Sequence, residues 1–274
     1  MSLPFRPAAL AAFVLAVCAT PVLAADPAAP AAPAAPAAAP AALPSVVEAA
    51  RAEERAVAER LKARLGGAPV SVRRMPFGLF EVAFDGEILY VDEKANYLIS
   101  GRAFDLRTRE DLTTPRREEM LRVDFHALPF ERAVKTVRGA GTRQLVVFED
   151  PNCPYCKRFE HDISTLEDVT IYTFLYPILS EDSYAKSRNV WCAQDRAGAW
   201  THLMLEGRSP EAASDACKHP LEENIALGQK LHVTGTPTLI FTDGRRAPGA
   251  VPLDKVNKMI ADASAATRAP ASNN

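Results

Sequence analysis

Between Ser45 and Leu65 apolar side chains are spaced among alanines and charges. Ser45-Val46-Val47-Glu48 has the Ser-x-x-Glu spacing in which each side chain satisfies the other residue's free backbone N–H, so a helix is predicted. From 70 to 106 the period changes to two. Phe80, Val82 and Phe84 alternate with Leu79, Glu81 and Ala83, and Asp85-Gly86 is a hairpin signal ahead of Ile88-Leu89-Tyr90-Val91. Tyr97-Leu98-Ile99-Ser100 reads as a further strand. So few strands bury little apolar area and leave an unpaired edge, and Phe80, Phe84, Ile88 and Tyr90 are expected to need a second copy of the chain to cover them. Pro115 to Arg122 is charged and helical in pattern, and Pro129 suits the first turn of another helix running to about Val137.

After Gly139-Ala140-Gly141 the pattern alternates between apolar strands and helices. Gln144 to Phe148 and Val169 to Leu175 read as buried strands, and Thr238 to Thr242 as a third, closed by the turn Asp243-Gly244. Helices are predicted around Ser183 to Gln194, Ala197 to Leu205, Leu221 to Leu231 and Leu253 to Ala263. The chain is thus expected to be α+β. A small antiparallel domain covers 45–112, a helical linker 113–139 and an α/β domain 140–266, followed by a tail over 267–274.

The N-terminus changes the setting. Arg6, the apolar run from Ala8 to Val17 and the small residues around Ala24-Ala25 read as a secretory signal peptide over 1–25. That run is too short to span a bilayer. Cys18 lies in it, but Val17 precedes it where a lipoprotein signal wants a small residue, so simple cleavage is expected. Residues 26–44 are almost only Ala and Pro, a tether with nothing to bury. A net charge of -2 with no dense basic run excludes an electrostatic footprint for nucleic acid. Cleavage leaves Cys153, Cys156, Cys192 and Cys217 in a compartment where disulfides persist, with three pairings open.

Cys153-Pro154-Tyr155-Cys156 follows a predicted strand and opens a helical stretch. A thiolate is the attacking species in disulfide exchange, and a helix N-terminus stabilises one, so an exposed Cys153 is expected to attack. Cys156, nearly a turn on, is placed to resolve the mixed disulfide. The competing reading is half a zinc site with His161 as third ligand. It is weaker, because no second Cys/His cluster of suitable spacing accompanies it, and neither metal nor cofactor is expected. Gly235-Thr236-Pro237-Thr238 precedes the last strand, and cis X-Pro bonds concentrate in tight turns. It resembles the cis-proline loop of thioredoxin-fold enzymes, which implies that Thr236 and Pro237 face substrate.

Three segments in order, Phe148 to Lys157, Val190-Trp191-Cys192-Ala193 and Leu231 to Thr238, resemble the bacterial periplasmic disulfide isomerases of the DsbC and DsbG group. Gly78 to Val82 and Tyr97 to Gly101 resemble their dimerisation domain. The likeness covers about residues 45 to 265. It implies a V-shaped homodimer in the periplasm, with a thioredoxin-like catalytic domain carrying a helical insertion. Its substrates would be misfolded, disulfide-containing exported proteins, and a membrane thiol reductase of the DsbD type would keep it reduced. Cys192 and Cys217 match the structural disulfide of the DsbC branch, whereas Pro154-Tyr155 is the dipeptide of the DsbG branch. The activity implied is disulfide isomerisation. The alternatives are a DsbG-like reductase of sulfenylated cysteines, or a holdase chaperone using the dimer cleft.

Overall fold

The computed structural model describes residues 45–268; the expected signal peptide, the Ala/Pro tether and most of the expected tail lie outside them. Helix α1 (Val46–Leu65) starts at the capping box the spacing predicts. Ser45 N–H donates to Glu48 Oε2 at 2.8 Å and Glu48 N–H to Ser45 Oγ at 3.3 Å. Gly66 ends it in the left-handed conformation at φ 73°. Four antiparallel strands follow in sequence order: β1 (Ser71–Arg74), β2 (Phe80–Phe84), β3 (Glu87–Val91) and β4 (Leu98–Ser100). Asp85 and Gly86 both take positive φ, 48° and 78°, as the tight β2–β3 turn requires.

Both faces of this sheet are covered within the single chain. Phe80, Val82 and Val91 pack under Val57 and Leu61 of α1. Ala83, Ile88 and Tyr90 pack with Met75, Leu112 and Met120, the last of these from helix α2 (Thr114–Met120). A two-stranded ribbon of β5 (Phe104–Asp105) and β6 (Glu110–Asp111) precedes α2. Buried Glu81 is held between Arg73 and Arg116 at 3.0 and 3.1 Å. This corrects the expectation that Phe80, Ile88 and Tyr90 wait for a second copy: α1 and α2 bury them. Exposed apolar side chains include Tyr97, Leu98 and Ile99, on and beside the edge strand β4, along with Val70, Phe77, Phe104 and Leu106 elsewhere in the domain.

The helical linker expected over 113–139 is corrected too. After α2 come two 3-10 turns, Phe125–Ala127 and Phe130–Arg132, and then a strand, β7 (Val134–Arg138), where the helix from Pro129 was expected. Val134–Arg138 is rich in β-branched residues and alternates more buried with exposed positions, and β9 (Val169–Leu175) offers it an antiparallel ladder. The catalytic sheet thus begins at Val134. Its order is β11-β10-β8-β9-β7, with β8 (Arg143–Glu149) parallel to β9, and β10 (Thr238–Phe241) antiparallel to both β8 and β11 (Arg246–Pro248).

Helices α3 (Pro154–Ile163) and α7 (Leu253–Arg268) cover one face of this sheet. Phe159, Ile163, Val256 and Ile260 meet Leu145, Val147, Ile171 and Leu239 there. Val146, Phe148, Phe174 and Ile240 fill the other face with Phe125, Leu128 and Val233. Helices α4 (Glu181–Cys192), α5 (Arg196–Glu206) and α6 (Leu221–Lys230) form the expected insertion. Cys192 and Cys217 are bridged across it.

Candidate functional site

Helix α3 begins where β8 ends, and Cys153 is its N-cap with Pro154 in the first turn, where proline's missing N–H costs nothing. Cys156 falls on the helix face that also buries Phe159, Glu160 and Ile163. Both thiols are free. Thr236-Pro237 is a cis peptide, and Cys153 Sγ–H donates to Thr236 O at 3.4 Å, so the proline loop lies against the first cysteine. The expectation of an exposed Cys153 is corrected. The residue keeps only 4% of its surface, and the side chain that projects beside it is Tyr155 at 63%, with Ile178 and Leu179 also exposed. Trp191 lies in the apolar cluster around the two thiols, under the guanidinium of Arg196, 3.8 Å from its ring centre.

The sequence reading missed the polar frame of this site. Asp150 is fully buried, and its carboxylate accepts the N–H of Asn152 at 2.8 Å, of Ile178 at 2.9 Å and of Leu179 at 3.0 Å. One side chain thereby ties the turn before Cys153 to the loop after β9. Asn152 in turn donates to Ser180, Asp182 and Ser183 and accepts from Lys186 Nζ at 2.9 Å. The hydrogen bond from Lys186, then that from Asn152, holds the Asp182 carboxyl below its ordinary range.

A second acid, Glu149, is fully buried, and neither of its carboxyl oxygens has a hydrogen-bond partner. Burial, then the charge of Glu160, pushes its pKa well above the ordinary value. The same two physical effects, burial first and then the charge of Glu149, push the Cys156 thiol up. A signal for Glu149 was present: it is in phase with Leu145 and Val147, whose side chains face α3. His161, the third ligand of the zinc reading, is exposed on α3. Among the described residues no three His, Cys, Asp or Glu side chains gather as a metal-binding group.

Known proteins carry the same two parts in the same order. Residues 31–114 match the family described as the disulfide bond isomerase protein N-terminal domain, and 130–264 match the thioredoxin-like domain. A probable thiol:disulfide interchange protein DsbC from Bordetella parapertussis is 46% identical over 202 residues, 73% of this chain and 72% of that one. The thiol:disulfide interchange protein DsbC of Escherichia coli K12 is 24% identical over 217 residues, 77% of this chain and 89% of that one. Among solved structures, a disulfide interchange protein from Neisseria gonorrhoeae is 40% identical and aligns with 50% of this chain and 98% of its own at a TM-score of 0.48. With an isomerase-type N-terminal domain joined to a thioredoxin-like domain whose Cys-x-x-Cys thiols are free, the chain belongs to the DsbC family of thiol:disulfide interchange proteins.

Proposed function

We propose that the chain isomerises wrong disulfides in exported proteins through Cys153 and Cys156, and that it does so in the periplasm as a homodimer. The observation that carries the reading is the meeting of Cys153 Sγ with Thr236 O at 3.4 Å while Cys156 lies wholly buried a helical turn away. The thiolate of Cys153, at the start of α3, attacks a substrate disulfide. One substrate sulfur is released as a thiolate and the other stays bound to Cys153. The released thiolate attacks elsewhere in the substrate, and the rearranged substrate then displaces Cys153. When rearrangement stalls, Cys156 attacks Cys153, freeing a reduced substrate and leaving the Cys153–Cys156 disulfide, which a DsbD-type membrane thiol reductase reopens. Pro154 and Tyr155 line the approach to Cys153, and Thr236 and Pro237 support the substrate backbone. No nucleic acid enters this scheme.

Two measurements test this. Reduced protein incubated with a scrambled multi-disulfide substrate should restore native pairings, and Cys153→Ser should abolish that. Iodoacetamide at mildly acidic pH should label Cys153 well before Cys156, because burial and the charge of Glu149 hold Cys156 in the thiol form. Equal labelling of Cys156, or an active Cys153→Ser variant, would overturn the assignment.

A further inference from the structure

Helix α6 ends in a Schellman motif. Val233 N–H donates to Gly228 O at 2.8 Å and His232 N–H to Gln229 O at 2.9 Å, which puts His232 at the left-handed position after the cap, at φ 52°. Glycine is the usual residue there, because a Cβ crowds the following carbonyl oxygen in that conformation. The backbone preference therefore works against a histidine, and its surroundings must hold it. Arg246 does part of this: its guanidinium donates to Leu231 O and, at 3.1 Å, to His232 O. The rest comes from the N-terminal domain. The imidazole lies so close to the β2–β3 turn that a Cβ added at Gly86 would stand 2.9 Å from ring atoms Cγ and Nδ1. Asp85 Oδ1 is 3.8 Å from Nδ1, but the Asp85 side chain is 81% exposed and its charge adds little. The ring seated on a bare glycine is the tighter contact.

Arg117 of α2 grips the same turn, donating to Glu87 Oε1 at 2.7 Å and weakly to Gly86 O at 3.5 Å. The chain between the domains makes a separate attachment. Val123 N–H donates to Gly244 O and Arg122 Nη1 to Asp243 O, both at 3.0 Å and both on the turn between β10 and β11. Such an attachment is a pivot. Beside it the domains share no packed core: a cavity of about 350 Å³ opens there, lined by Ser100, Arg117 and Leu121 from one side and by His232, Arg246 and Pro248 from the other. Domains joined without a large apolar interface move against each other by default. The seat of His232 on the β2–β3 turn is a second point of contact, and it removes much of the freedom the pivot leaves.

We propose that His232 is a positioning residue: its ring, seated on the β2–β3 turn, fixes the orientation of the thioredoxin-like domain, and with it the direction in which Cys153 faces, against the N-terminal domain. This rests on the isomerase reading, in which a protein substrate is held by both domains while Cys153 works through its disulfides. A small disulfide needs only Cys153 and is indifferent to the seat.

His232→Gly in the full chain separates this role from a merely structural one, because glycine suits the backbone there better than histidine. A structural His232 predicts a protein at least as stable as the parent and fully active. The seat predicts that thermal unfolding is maintained and that exchange with a small aromatic disulfide keeps its rate, while restoration of native pairings in a scrambled protein falls about tenfold. Amide hydrogen exchange over residues 85–88 should rise in the same variant. Gly86→Asn keeps a positive φ that asparagine tolerates but drives a side chain into the ring, so it should slow isomerisation in the same way. With the seat already lost, the double variant should be no slower than the slower single one. Full isomerase activity in His232→Gly, or additive losses in the double variant, overturns the inference. If the parent itself fails to restore native pairings, the isomerase reading falls, and hydrogen exchange still decides the contact: unchanged exchange over 85–88 in His232→Gly means that the ring does not hold the turn.

Discussion

Two buried acids stand next to each other in the chain and are used in opposite ways. Asp150 is saturated by the N–H groups of Asn152, Ile178 and Leu179, so its burial is offset by hydrogen bonds. Glu149 has no hydrogen-bond partner and is pushed toward its neutral form by burial and by Glu160. The sign of its effect on stability follows from linkage. A carboxyl whose folded pKa lies above its ordinary value of 4.5 contributes fully below that value, and the contribution is lost as pH rises toward and through the folded pKa. Glu149→Gln cannot ionise, so its stability relative to the parent should grow with pH from about pH 5 upward, by at most about 1.4 kcal/mol per pH unit. Urea unfolding at a series of pH values checks this. A constant difference would mean that Glu149 keeps the same protonation in both states.

At the scale of elements, what the sequence showed and what it hid follow one physical division. Segments whose signal is local were legible: the Ser45/Glu48 cap of α1, the Asp85-Gly86 turn, the apolar run of β8 and the opening of α3 at Pro154. Segments whose conformation is decided by a distant partner were not. Val134–Arg138 becomes a strand because β9 is there to pair with it, and Arg246–Pro248 because β10 is. The site divides likewise. The cysteine pair was read from its spacing and the Thr236-Pro237 loop from its resemblance to thioredoxin-fold enzymes, whereas the grip of Asp150 on the loop after β9 depends on contacts 28 and 29 residues away.

The Cys192–Cys217 bridge belongs to this scale, because it closes 25 residues of separation, and from 207 to 220 the chain has neither helix nor strand to hold it. A loop of that length is worth about 3 kcal/mol through the unfolded chain. Replacing both cysteines by alanine should therefore lower stability by about that amount in denaturant unfolding, and should leave alkylation of Cys153 intact. A variant as stable as the parent would mean that packing of Trp191, Trp200 and Leu203 alone holds the insertion.

For the whole molecule, the structure relocates the argument for a dimer. The sheet interior no longer supplies it, since α1 and α2 cover both faces. The edge does. β4 pairs only with β3, so its other side presents free N–H and C=O groups, and it carries Leu98 and the 52%-exposed Ile99 beside exposed Tyr97. A bare apolar edge of this kind is an aggregation hazard unless something pairs with it, and two-fold pairing of β4 with β4 removes the edge from both subunits at once. It would also bring two catalytic domains to one assembly, so that a large substrate held by one subunit can meet Cys153 of either. Ile99→Lys places a charge at the centre of that pairing and repeats it across the two-fold axis, where like charges directly opposite are destabilising. The side chain is exposed in the single chain, so the fold should survive. The expected result is a monomer by sedimentation at micromolar concentration that still exchanges thiols with a small disulfide but restores native pairings in a scrambled protein several-fold more slowly. If Ile99→Lys stays dimeric, β4 is not the interface; if it is monomeric with full isomerase activity, pairing the subunits is not what isomerisation requires.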